Sequence, residues 1–146
     1  MWLPTAPPSA NAATPTAREA RHWFDIFTDN CFTPGKMVPK FTGERPTTGL
    51  GTRMITLNTA QEMRKYLGDD DGFYTGWTDR CINDLRTLFM KPDIQAVMEV
   101  VGTDGSIIDH FDERTLNPGH TTEGGSCWKK PAIAAMTPNS SRWAAT

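Results

Sequence analysis

The sequence lacks a long run of apolar residues, so it offers no segment of the roughly 20 residues that a membrane-spanning helix requires. Residues 1–15 are rich in Pro, Ala, Ser and Thr and lack the basic and apolar regions of a secretory signal peptide. We therefore expect a cytoplasmic protein with no membrane partner. The same composition predicts that residues 1–15 are extended or disordered, because they offer little apolar surface to bury.

The chain also lacks an excess of charge of either sign. Its formal net charge is -2, with basic and acidic residues interspersed, which excludes the basic patch typical of nucleic-acid binding. The three cysteines, Cys31, Cys81 and Cys127, are far apart and form no CxxC pair. This spacing predicts free thiols and no zinc site. We expect no cofactor, and a small neutral or anionic ligand is the expected partner.

The sequence does contain three segments with the apolar periodicity of amphipathic helices. In the first segment, Thr16 and Glu19 have the spacing of a capping box, which predicts that the helix opens at Thr16. Four residues of this helix recur at helical spacing and are predicted to face the core: Ala20, Trp23, Phe24 and Phe27. A second helix is predicted over residues 52–67, and a third within residues 69–91.

Glycines and prolines separate these helices. Gly68 and Pro92 are predicted to end the second and third helices. Residues 31–51 contain three prolines and four glycines, so they predict a long connection of the kind that often carries function. Two short β-branched segments flank Gly102–Gly105 and predict a β-hairpin there. The predicted fold class is all-α, with antiparallel helices and a small β-hairpin.

Two stretches of the chain carry a resemblance. The run "NPGHTTE", residues 117–123, resembles the signature of the N-acylglucosamine 2-epimerase family, and "GERPTTGLGTRMITLNTAQEMR", residues 43–64, is similar to its upstream loop and helix. The resemblance implies a partial (α/α)6 toroid that moves a proton at C2 of a sugar. Relatives that act on cellobiose or mannose have a histidine where this chain has Ile55. That difference favours the acylglucosamine side of the family.

The resemblance also implies which residues act. His120 is expected to be one member of an acid/base pair, since imidazole can both accept and return a proton near neutral pH. Glu123, one helical turn further on, is expected to orient the imidazole or to bind a sugar hydroxyl. Asn117 is expected to bind the substrate. Apart from the resemblance, Arg53 is expected to bind an anionic substituent of the substrate. Asn117–Gly119 would form the tight turn that presents His120.

The resemblance covers residues 16–125. The second catalytic histidine of the family lies on later helices that have no counterpart in this sequence, so we expect half a site and an inactive chain. Residues 126–146 contain prolines and no sustained periodicity. When their codons are shifted by one base, they permit an amphipathic helix, a polar break and a new helix. We therefore hypothesise a change of reading frame just after Gly125.

Two alternatives to an enzyme fragment follow from the same residues. In the first, the chain is a non-catalytic remnant that self-associates, because helices without their neighbours leave apolar faces in water. In the second, His110, His120 and Glu123 bind a metal ion and the protein is a metal-dependent hydrolase.

Overall fold

The computed structural model describes residues 14–37, 46–110 and 113–120. These ranges contain three complete α-helices: α1 Pro15–Phe32, α2 Leu50–Leu67 and α3 Phe73–Asp84. They also contain four short strands: β1 Thr47–Gly49, β2 Met90–Lys91, β3 Ala96–Val97 and β4 Val100–Gly102. The mostly helical fold with a small antiparallel β element agrees with the predicted class. No helix in these ranges is long and apolar enough to cross a membrane.

Helix α1 begins earlier than the sequence predicted. Thr14, not Thr16, is the N-cap, and its hydroxyl oxygen accepts a hydrogen bond of 3.2 Å from the backbone N–H of Ala17. Pro15 occupies the first helical position, where its fixed φ suits the helix and its missing N–H costs nothing. The predicted cap at Thr16 was therefore wrong. Thr14 and Pro15 belong to the folded part of the chain, and residues 1–13 lie outside the described ranges.

Helix α1 contacts the other helices mainly through aromatic side chains, among them Phe24 and Phe32. Phe24 is 4% exposed, and its ring meets three rings of α3 edge to face: Phe73, Tyr74 and Trp77. Its neighbour Trp23 was predicted to be buried but is 60% exposed. The prediction that Trp23 faces the core was therefore wrong.

Helices α2 and α3 enclose the main core. Helix α2 starts at Leu50, two residues before the predicted start, and ends as predicted before Gly68. Its residues Met54 and Leu57 pack with residues of α3 and of the chain that follows it. The complete cluster of buried residues is Leu50, Met54, Leu57, Cys81, Ile82, Leu85, Phe89, Met98 and Val101.

Helix α3 does not run on regularly to Pro92 as predicted. It passes into a π-helical turn at Leu85–Phe89, in which the backbone N–H of Met90 donates to the carbonyl of Leu85. The hydrogen bond of a π turn spans five residues instead of the four of an α-helix, so the turn is wider. Leu85 is 2% exposed and Phe89 is fully buried, so the wider turn places both side chains in the core.

The β strands pair differently from the prediction. A hairpin around Gly102–Gly105 was expected, but β4 pairs with β1, and the hairpin in this region is formed by β2 and β3. In the β1–β4 pair, Thr48 lies opposite Val101. The contact continues into α2, because the N–H of Leu50 donates to the carbonyl of Glu99 at 2.9 Å. Residues 47–50 supply hydrogen-bond partners for the backbone of β4. The segment after Gly105 is therefore not needed as the partner strand of β4.

A tight turn follows β4 and is attached to the end of α3. The N–H of Gly102 donates to the carbonyl of Ser106 at 2.9 Å, and Gly105 has a φ of +84°. A Cβ at Gly105 would lie 3.2 Å from the Cα of Leu88, so both the backbone conformation and the close approach require glycine. The ammonium group of Lys91 donates to the carbonyls of Leu88 and Gly105 at 2.7 and 2.5 Å. Lys91 therefore joins this turn to the π turn.

We predict that Thr14→Ala lowers the free energy of unfolding by about 1 kcal/mol, because it removes the side-chain cap of α1. Denaturant titration followed by circular dichroism would measure the change. Thr16→Ala is the matched control, since Thr16 is exposed within the first turn and is expected to change stability by only a few tenths of a kcal/mol. A larger loss for Thr16→Ala than for Thr14→Ala would contradict this cap assignment.

We predict that stability falls in alkaline solution because of Cys81. Burial raises the pKa of its thiol to about 12, whereas an unfolded cysteine has a pKa of about 8.5. The unfolded chain therefore loses this proton first as the pH rises, and the stability contributed by the neutral buried thiol declines between about pH 8.5 and 12. Between pH 8 and 10 we expect the free energy of unfolding to drop about 2 kcal/mol more in the wild type than in Cys81→Ala. Equal drops would exclude this role for Cys81.

Candidate functional site

The "NPGH" run forms the start of a helical turn. The side-chain oxygen of Asn117 accepts hydrogen bonds from the backbone N–H groups of Gly119 and His120, at 3.0 and 3.2 Å. Residues 118–120 have helical backbone, so Asn117 is the N-cap and Pro118 occupies the first position. The structure therefore contains the tight turn that the sequence predicted. Asn117 was also predicted to bind the substrate, but its side-chain oxygen serves this cap.

His120 is held by a carboxylate from elsewhere in the chain. Its Nδ1 lies 2.7 Å from Oε1 of Glu99, within hydrogen-bond distance. The imidazole side chain is 41% exposed, whereas that of Glu99 is 19% exposed. A carboxylate at Nδ1 fixes the ring orientation and leaves Nε2 as the nitrogen for proton transfer. The residue is thus oriented from within the protein and accessible from outside.

Glu99 was not identified from the sequence. It lies between Met98, which is 4% exposed, and strand β4, and its carbonyl accepts the hydrogen bond from Leu50 described above. One signal was present, because a single carboxylate interrupts the apolar run "AVMEVV". Such a residue in a buried strand region needs a partner or a function. The identity of the partner could not be predicted, since His120 is 21 positions away.

Arg53 braces the junction between β1 and α2. Its guanidinium pairs with the carboxylate of Asp84 at 3.3 Å and donates to the hydroxyl of Thr48 at 2.5 Å. It also lies over the rings of Phe32 and Phe89, 5.1 and 5.8 Å from their centroids. The side chain is only 14% exposed. The sequence predicted that Arg53 binds the substrate, and the structure places it in contacts that connect α1, β1, α2 and α3.

A second histidine–carboxylate pair lies nearby in the sequence. Nδ1 of His110 is 2.7 Å from Oε2 of Glu113, and Glu113 is 2% exposed. The backbone N–H of Glu113 also donates to the carbonyl of His110, so the pair belongs to one turn. Its contacts therefore hold together the chain that leads into the "NPGH" run.

Of the three residues in the metal site considered from the sequence, His110 and His120 lie in the described ranges. His110 and His120 each contact their own carboxylate. Within the described ranges, no group of three His, Cys, Asp or Glu side chains could hold a metal ion. Glu123, the third residue of that hypothesis and the predicted partner of His120, lies outside these ranges.

The site residues are connected through the start of α2. Leu50 contacts Glu99 through the backbone, and Glu99 contacts His120 through its side chain. Arg53, one turn further along α2, reaches back to Thr48 and to the carbonyl of Gly49. An imidazole that is held at one nitrogen and partly exposed can act as a general base and then as a general acid. Its surroundings are held by backbone hydrogen bonds and by the half-buried ion pair between Arg53 and Asp84.

The chain matches no known protein family, and it matches no curated protein. The assignment of a function therefore depends on the "NPGH" run and on the contacts of His120.

We predict that Arg53 has a structural role that can be measured without a substrate. Arg53→Met should lower the free energy of unfolding by about 2 kcal/mol, because Asp84 would remain largely buried without its partner. The double variant Arg53→Met/Asp84→Asn should recover part of this loss. Arg86→Met is the control, since Arg86 is exposed and lies in the same region. Equal stability of the Arg53→Met and Arg86→Met variants in denaturant titrations would refute the bracing role.

Proposed function

We propose that the chain is part of a sugar 2-epimerase or aldose–ketose isomerase of the N-acylglucosamine 2-epimerase type. The observation that carries the proposal is the 2.7 Å contact between Nδ1 of His120 and the carboxylate of Glu99. It gives the histidine of the "NPGH" run the orientation that acid/base catalysis requires. The resemblance in sequence supplies the reaction, and the contact supports the role of the residue.

The proposed step is the transfer of the proton on C2 of a ring-opened sugar. The proton moves to Nε2 of His120, the electron pair of the C–H bond forms a C1–C2 double bond, and the carbonyl oxygen gains the negative charge. Return of a proton to C2 gives the epimer. Transfer of the O2 proton to O1, together with delivery of the carbon-bound proton to C1, gives the ketose of an aldose. Glu99 stabilises the imidazolium that forms, because its carboxylate is in contact with Nδ1.

Epimerisation needs a second proton-transfer group on the other face of C2. We infer that this group belongs to a larger (α/α)6 toroid, of which residues 16–125 form a part. The large apolar side chains that remain in water support this inference, because neighbouring helices would cover them. The most exposed on α1 and α2 are Trp23 at 60%, Ile55 at 57% and Tyr66 at 45%.

The same exposed side chains favour one alternative function. Without neighbouring helices, a chain with these surfaces would associate with copies of itself and act as a non-catalytic remnant. This alternative predicts no chemistry at His120 and a molecular mass above that of the monomer in solution.

The first prediction of the enzyme proposal concerns hydrogen exchange at C2. Half a site is not expected to complete an epimerisation, but exchange with solvent needs only one base, so incubation of the chain with N-acetylmannosamine in deuterated water should exchange the C2 proton, detected as loss of its NMR signal. We expect His120→Ala to reduce the exchange rate at least 100-fold, which is the usual contribution of a general base. His22→Ala is the matched control, because His22 is exposed on α1 and should leave the rate unchanged.

Sedimentation of the same samples separates the two hypotheses. Exchange that requires His120 in a monomeric chain would exclude the remnant. Absence of exchange together with assembly into oligomers would favour the remnant over the enzyme proposal.

A further inference from the structure

An open groove of about 260 Å³ runs between α1 and α3 and shares no residue with the pair of His120 and Glu99. Helix α1 lines it with positions 25, 29 and 32, and helix α3 lines it with positions 73, 77 and 80. In each helix these positions are spaced i, i+4 and i+7, so they lie on one face. The six side chains are Asp25, Asp29, Phe32, Phe73, Trp77 and Arg80.

Aromatic side chains form the apolar part of the groove. The rings of Phe73 and Trp77 are held by edge-to-face contacts with the buried ring of Phe24, with centroids 6.0 and 6.3 Å away. Phe32 lies against Trp77, with their centroids 5.0 Å apart. Phe32, Phe73 and Trp77 are all partly exposed, so solvent reaches part of their surface. The groove therefore offers aromatic carbon that can cover the C–H groups of a ligand.

The polar side chains of the groove are accessible. The side chain of Asp25 is 51% exposed, and its carboxylate makes one weak ion pair, with Arg21 at 4.0 Å. The guanidinium of Arg80 lies 4.7 and 5.0 Å from the ring centroids of Phe32 and Trp77. Within the described part of the chain, Arg80 has no hydrogen-bond or ion-pair partner. The two rings hold its guanidinium in place, and its N–H groups remain available as donors.

The charges of the groove favour an uncharged ligand. A cation would be attracted by Asp25 but repelled by Arg80, and an anion would meet the reverse. The other carboxylate, Asp29, is already paired with Lys36 at 2.9 Å. A ligand that both donates and accepts hydrogen bonds can use the two free groups at once, and a hydroxyl group does both.

We propose that this groove binds a neutral polyhydroxylated ligand of the size of one sugar ring. Its hydroxyl groups donate to the carboxylate of Asp25 and accept from the guanidinium of Arg80, and its C–H groups pack on Trp77. Pockets for drug-sized ligands occupy about 300 to 1,000 Å³, so the groove suits a smaller molecule. The inference does not rest on the function proposed above, because it uses none of the residues of that site.

The test is an NMR titration of the full-length chain with the methyl glycosides of glucose, mannose and N-acetylglucosamine. These glycosides cannot open their rings, so they report binding without proton transfer at C2. We expect at least one of them to shift the indole N–H signal of Trp77. Arg80→Met and Asp25→Asn should each raise its dissociation constant about tenfold, the loss typical of one hydrogen bond to a charged group. Both replaced side chains are exposed, so the variants should fold.

Arg86→Met and Asp93→Asn are the matched controls, because these residues are exposed and lie outside the groove. Both should bind like the wild type. The absence of any shift at Trp77 would overturn the proposal, and so would equal affinities of the Arg80→Met and Arg86→Met variants. Tetramethylammonium and acetate test for a charged ligand instead. A larger shift at Trp77 with either ion than with every glycoside at the same concentration would also overturn the proposal.

Discussion

The antiparallel pairing of β1 with β4, continued by the hydrogen bond from Leu50 to Glu99, is the contact on which the rest of the structure depends. It joins two parts of the chain that are separated by both α2 and α3. Without it, α2 would have no fixed starting point and Glu99 would have no fixed position. Backbone pairing also carries no chemical specificity, so it leaves the side chains of this junction available for other contacts. The side chain of Arg53 connects the helices, and the side chain of Glu99 holds His120.

The parts of the fold that could be predicted are those encoded by nearby residues. Helices α2 and α3 follow from apolar spacing within one segment, and the stop at Gly68 follows from a single residue type. The start of α1 was misplaced because Thr14 and Thr16 both offer a capping hydroxyl, and Pro15 decides between them. The strand pairing could not be predicted, because Gly102–Gly105 forms a turn in either arrangement while the true partner of β4 lies more than 50 positions earlier. Local pattern identifies a strand, but it does not identify the strand's neighbour.

The candidate site likewise has parts that nearby residues predict and one part that they do not. The cap formed by Asn117 and the presentation of His120 are local and follow from the spacing of the "NPGH" run. The partner of His120 is distant in sequence and lies in a stretch whose composition suggested only a buried strand. The resemblance also placed the carboxylate of Glu123 beside His120, and this residue lies outside the described ranges. The contact with Glu99 makes the histidine dependent on the folded core, so its chemistry and the stability of the chain cannot be varied independently.

The π turn at Leu85–Phe89 has a consequence for how this chain could change in evolution. It corresponds to one extra residue inserted into an α-helix, and removal of a residue there would restore regular helical geometry. The deletion would also rotate every residue after it by about 100° around the helix axis. Phe89 would leave the core, and Lys91 would lose its reach to the carbonyl of Gly105. Insertions and deletions at this position are therefore constrained by distant contacts rather than by helix stability, and we expect the length of this segment to be preserved where its sequence varies.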